Sequence, residues 1–115
     1  MPESFKIRIT QYALSQMRDI KTYISETLLA PETAEHWFEK IYREFRTLEV
    51  LPSRIPLVNE EPWRSRGIHK FFVENFIAYF WIDEMSSEVW IIAVIYGRRD
   101  QKTQLESIPQ EKIQH

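Results

Sequence analysis

The residues best suited to chemistry in this chain of 115 residues fall into two short basic clusters. Arg64, Arg66, His69 and Lys70 lie within a window, 64–73, that contains no acidic side chain, and Arg98, Arg99 and Lys102 follow the last apolar run, which ends at Tyr96. Six of the fifteen Lys and Arg residues are concentrated there, so if the strands from Gly67 and Val89 belong to one sheet the two clusters can converge, and a protein of formal net charge −2 then carries a locally basic face. A guanidinium grips phosphate or carboxylate oxygens in a bidentate fork, and lysine adds a point charge. An imidazole or a phenol beside such cations can move a proton, which makes His69 and Tyr96 the candidates for acid–base work. The overall acidity excludes indiscriminate binding to polyanions, because that affinity scales with the cationic contacts offered. Arginines flanking strands also have a plainer use, which is to keep sheet edges soluble.

The same candidates have structural roles to weigh. His69 alternates with Phe71 and Val73 and can therefore face the core, while Tyr96 can close a strand by packing its ring and hydrogen-bonding its hydroxyl. Glu74-Asn75 fits a hairpin turn. Asp83 and Glu84 are consecutive at a strand end, so their carboxylates diverge into solvent, and His36 lies beside an apolar helix stripe at the surface. There is no cysteine, which removes disulfides and thiolate metal sites, and the three histidines are too scattered for a metal motif. No cofactor signature is present. The N-terminus lacks a basic segment followed by an apolar one, and no apolar run approaches the roughly 20 residues that span a bilayer, so a cytoplasmic protein without membrane contact is expected.

The elements that must position these residues are legible from their periods. Phe5–Ile9 alternates apolar and charged residues, as a half-buried strand does. From Thr10, a good N-cap, Ala13, Leu14, Met17, Ile20, Ile24 and Leu28 recur at helical spacing. Pro31 starts a second helix whose stripe runs through Ala34, Trp37, Phe38, Ile41, Tyr42, Phe45, Leu48 and Leu51 to Pro52, and the short link between the two forces a hairpin. Residues 52–63 hold three prolines and no period, which predicts an extended connection over the core. Three strands follow, 67–73, Phe76–Ile82 and Val89–Tyr96, and the last delivers its arginines from a rigid end. The fold class is α+β, with the order β-α-α-β-β-β and a helix hairpin packed on a small, mainly antiparallel four-stranded sheet. At this length residues 1–115 form a single domain, with 103–115 as a short helix or frayed tail. Both faces of the last two strands are apolar, the final one dividing into Trp90, Ile92, Val94 and Tyr96 against Val89, Ile91, Ala93 and Ile95. The face away from the helices must therefore be a partner groove or a second core closed by the long loop and tail.

Together, the element order, the Leu48–Pro52 Leu-x-x-Leu-Pro stretch, the Gly67–Asp83 segment and the terminal Tyr96-Gly97-Arg98-Arg99-Asp100 resemble the RelE/ParE superfamily of bacterial toxins. The resemblance covers nearly the whole chain. It implies the toxin of a type II toxin–antitoxin module of the plasmid-stabilisation kind, neutralised by a small cognate antitoxin that wraps the sheet and helices. The superfamily contains gyrase poisons of the ParE kind and metal-independent, ribosome-dependent messenger-RNA endonucleases of the RelE kind. For the latter, RNA cleavage needs proton transfer at the 2′-hydroxyl and cations around the pentacoordinate phosphate, which would fall to Arg66, His69, Tyr96, Arg98 and Arg99, with Arg64, Lys70 and Lys102 gripping the target. RelE-type nucleases, however, resemble one another in an arginine where this chain has Phe76 and a tyrosine where it has Gln104. Those two departures favour ParE-like action on DNA gyrase over ribosome-dependent cleavage. A toxin homologue that only binds its antitoxin is the third reading.

Overall fold

Thr10 ends the first strand and starts the first helix. Its extended backbone (φ −68°, ψ 159°) turns the chain, and its hydroxyl oxygen accepts the Ala13 N–H at 3.1 Å, satisfying a donor that the helix terminus leaves unpaired. The computed structural model describes residues 4–74, 76–96 and 108–109. Within them the elements are β1 (Lys6–Ile9), α1 (Gln11–Thr22), α2 (Pro31–Arg46), β2 (His69–Val73), β3 (Phe76–Asp83) and β4 (Glu88–Tyr96).

α1 runs into one wide turn, Tyr23–Thr27, in which the Leu28 N–H reaches back to the Tyr23 carbonyl at 3.1 Å. Leu29 then takes the left-handed conformation (φ 53°), and Ala30 N–H donates to Ile24 O at 3.1 Å, so the Tyr23 and Ile24 carbonyls at the helix end are satisfied. Pro31, with φ preset and no N–H to leave unpaired, opens α2. Ala13, Met17, Ile20 and Ile24 from the first helical run and Ala34, Trp37, Ile41 and Phe45 from the second are buried together. α2 is shorter than its stripe predicts. It stops at Arg46 rather than near Leu51, because the Thr47 hydroxyl donates to the Glu44 carbonyl at 2.6 Å and the Arg54 guanidinium donates to Thr47 O at 3.0 Å, drawing the chain into tighter turns. Leu48 remains fully buried all the same, so the periodicity correctly marked burial but not helix.

The sheet order is β1-β4-β3-β2, with β1 parallel to β4 and the other pairs antiparallel, which makes the expected four-stranded, mainly antiparallel sheet. The helices cover one face. On the other, Val58, Trp63, Ile68 and Ile108 bury Ile77, Tyr79, Ile92 and Ile95, so the proline-rich connection and one tail residue complete a second core. The faces of β4 divide differently from simple alternation. Tyr79 pairs with Ala93 but Phe80 pairs with Ile91, leaving Ile92 as an extra residue in a bulge. Val89, Ile91, Val94 and Tyr96 therefore lie toward the helices, and Trp90, Ile92, Ala93 and Ile95 toward the second core. Val94 and Tyr96 stand on the opposite face from the one that a straight period of two assigns.

Candidate functional site

His69 is set by the loop that lies against the edge of β2. Its ring, 9% exposed, stacks on Phe80 at 4.9 Å and 8°, and its Nδ1–H donates to the Ile55 carbonyl at 2.6 Å. Burial lowers its pKa, and the Ile55 hydrogen bond opposes that shift only in part. The neutral imidazole is thus committed to holding 55–58 against the edge of β2, where Val58 N–H donates to Ile68 O at 2.9 Å and Lys70 N–H to Pro56 O at 3.0 Å. Gly67 (φ 81°) supplies the left-handed residue that turns this loop into β2.

Of the basic residues near His69 in sequence, Lys70 is on the sheet and Arg64 and Arg66 are in the loop that precedes it. Lys70 pairs with Tyr79 and so belongs to the opposite face of the sheet from His69, which pairs with Phe80. Its ammonium lies 5.2 Å from the centre of the exposed Phe72 ring. Arg64 is exposed, but its Nη1 donates to the Val58 carbonyl at 3.1 Å and closes the 58–64 loop. Arg66 is exposed in the same loop, its N–H shared between Pro62 O and Trp63 O at 3.1 Å each.

Tyr96 stands at the far corner of the sheet. Phe76 pairs with both Val73 and Tyr96, whereas His69 is level with Phe80 and Ile91. Four residues along the strand and two strands across place Tyr96 roughly 16 Å from His69, from the standard rise and strand spacing. His69 and Tyr96, the two candidate proton carriers, are therefore set apart by this topology. Two antiparallel steps restore chain direction, so the start of β2 lies level with the middle of β4 and its end with the end of β4. Arg98, Arg99 and Lys102 lie outside the described residues.

The corner at Tyr96 has its own surroundings, which sequence reasoning missed. Tyr23 contributes a half-exposed ring 6.0 Å from that of Tyr96. Lys40 of α2 pairs with Glu74 at the end of β2. Lys40 lies three residues after the buried Trp37, whose ring packs edge-on to Phe76 at 5.2 Å, and that spacing was the available signal. On the second face, the Tyr79 hydroxyl and Trp63 Nε1 are buried without a partner among the described residues, and burial, with the charge of Glu60, pushes Tyr79 up to about 12. Among the described residues no cluster of His, Asp or Glu could hold a metal ion, and no helix is long and apolar enough to cross a membrane.

A helix hairpin lies over a β1-β4-β3-β2 sheet, an α+β arrangement of the RelE/ParE-like kind. The family described as "ParE toxin of type II toxin-antitoxin system, parDE" matches residues 7–101, and the chain belongs to it. Two solved structures share the fold. The chromosomal ParDE system from P. aeruginosa superposes with a TM-score of 0.67 at 18% identity, covering 83% of this chain and 98% of that one. The toxin–antitoxin complex RelBE2 from Mycobacterium tuberculosis gives 0.57 at 19% identity, covering 85% and 95%. No curated protein matches.

Proposed function

We propose that this toxin arrests growth when free, is neutralised by a cognate antitoxin, and acts in the ParE manner on DNA gyrase rather than as a RelE-type ribosome-dependent messenger-RNA endonuclease. The observation that carries the choice is Phe76. At the position where RelE-type nucleases resemble one another in an arginine, this chain has a ring that is 1% exposed and wedged against Trp37. A phosphate-gripping side chain is replaced there by core. His69, the one imidazole among the candidates, is held by Ile55 and lies roughly 16 Å from the Tyr96 hydroxyl-bearing strand end. Phosphoryl chemistry depends on convergent cations and a proton carrier, and removal of one such donor commonly costs about 10² to 10³ in rate. The family match to ParE toxins supports the same reading. The antitoxin partner is supported by the neighbours, a ParDE toxin–antitoxin system and a RelBE2 toxin–antitoxin complex.

Brief induction of the chain in growing cells tests the proposal. Intact messages by primer extension, a DNA-damage response, and inhibition of supercoiling by purified gyrase are expected, with growth arrest relieved in Arg98→Ala. Discrete cuts in translated codons that vanish in Arg98→Ala overturn the gyrase reading in favour of the nuclease. Absence of any arrest by the wild-type chain points instead to a homologue that only binds its antitoxin.

A further inference from the structure

β4 outruns its neighbour. β1 ends with Ile9 paired to Ile91, and the Thr10 N–H makes the last bond to that strand at Ile91 O, 3.0 Å. From Ile92 to Tyr96 no described strand borders that edge of β4. The edge is met instead by α1, whose Gln16 Oε1 accepts the Val94 N–H at 2.7 Å. This bond sits two residues past the bulge at Ile92.

The placement matters because hydrophobic burial cannot choose the register here. A slip of one residue turns a strand over, and such slips are suppressed where one face is apolar and the other polar. Residues 92–95 read Ile-Ala-Val-Ile, so both faces of β4 are apolar and both are covered, by the helices on one side and by Val58, Trp63 and Ile108 on the other. Exchanging Ala93 and Ile95 for Val94 and Tyr96 would leave the apolar content of each core little changed. A directional hydrogen bond discriminates between the two arrangements, since it is satisfied only when the Val94 N–H points outward to α1. Gln16 is itself anomalous. It lies three residues after Ala13 and four before Ile20, half-buried on the face of α1 that carries the apolar stripe, where an apolar residue is otherwise the rule.

We infer that Gln16 is a positioning residue that locks β4 in its bulged register, which puts Tyr96 on the helix side against Tyr23 and fixes the direction in which the strand end is presented. The consequence for toxicity rests on the proposed reading of that strand end as the working surface; the lock itself does not. The full-length chain is compared with Gln16→Leu, which removes the acceptor at similar volume, and Gln16→Glu, which keeps an acceptor oxygen. In Gln16→Leu, Val94 amide exchange should rise about fivefold, the factor a typical net hydrogen-bond contribution represents, and the nuclear Overhauser contacts between Tyr23 and Tyr96 should weaken. Both should return in Gln16→Glu. Growth arrest on induction should fall with the leucine variant and recover with the glutamate. Unchanged Val94 exchange and unchanged Tyr23–Tyr96 contacts in Gln16→Leu overturn the lock. Altered exchange and contacts with undiminished arrest leave the lock standing and overturn the strand end as the working surface.

Discussion

Replacing His69 with phenylalanine separates a structural histidine from a catalytic one. The new ring keeps the stack on Phe80, and what is lost is the Nδ1–H donor to Ile55 O. A net hydrogen bond is worth about 1 kcal/mol, and a carbonyl left without its partner in a half-buried setting adds up to about 2 kcal/mol, so His69→Phe should destabilise by about 1–3 kcal/mol. For a domain of this size that corresponds to a drop of about 4–12 °C in melting temperature, read by circular dichroism at pH 7.5. The pH dependence gives an independent check. Burial lowers the folded-state pKa of His69 below its ordinary 6.5, so the unfolded chain binds the proton more readily. The wild type should hold its full stability above pH 6.5 and lose part of it as the pH falls from there through the lowered folded value. His69→Phe should lack that step, and the gap between the two proteins should narrow in acid. Growth arrest should survive in the variant. A His69→Phe protein that melts with the wild type yet fails to arrest growth would refute the reasoning and return His69 to the chemistry.

Three further outcomes follow from the packing. Phe76→Arg should unfold or aggregate the chain instead of installing nuclease activity, because it exchanges a buried aromatic worth about 3–5 kcal/mol for an unpaired buried charge; a soluble, cooperatively melting variant that cuts messages would contradict this. Tyr79→Phe removes a buried hydroxyl with no described partner and should leave the melting temperature equal or raise it by a few degrees, whereas a clear drop would reveal a hidden hydrogen bond. Thr10→Ala deletes the cap on Ala13 N–H and should cost about 1 kcal/mol in urea titrations, with an unchanged slope if the fold is otherwise intact.

Local periodicity and cap chemistry determined much of this protein from the sequence alone. The element order, the Thr10 cap, the Pro31 start, the apolar stripes of both helices and the two-faced burial of Phe76–Trp81 all depend on neighbours within four residues, where side-chain spacing maps directly onto geometry. The tertiary structure decided what depends on distant segments. Whether the stripe through Leu48 continues as helix was settled by Arg54 reaching Thr47 O from a later turn. The inward turn of His69 was legible from its alternation with Phe71, but its partner, the Ile55 carbonyl, comes from a loop that lies against β2 only once the sheet exists. The bulge at Ile92 was invisible because a run apolar at every position carries no parity, and only the pairing with β3 and the Gln16 bond from α1 fixed which side Tyr96 would take. The separation of His69 from Tyr96 has the same origin: residue type marks a candidate, but strand direction and register, which are properties of the assembled sheet, determine whether candidates meet.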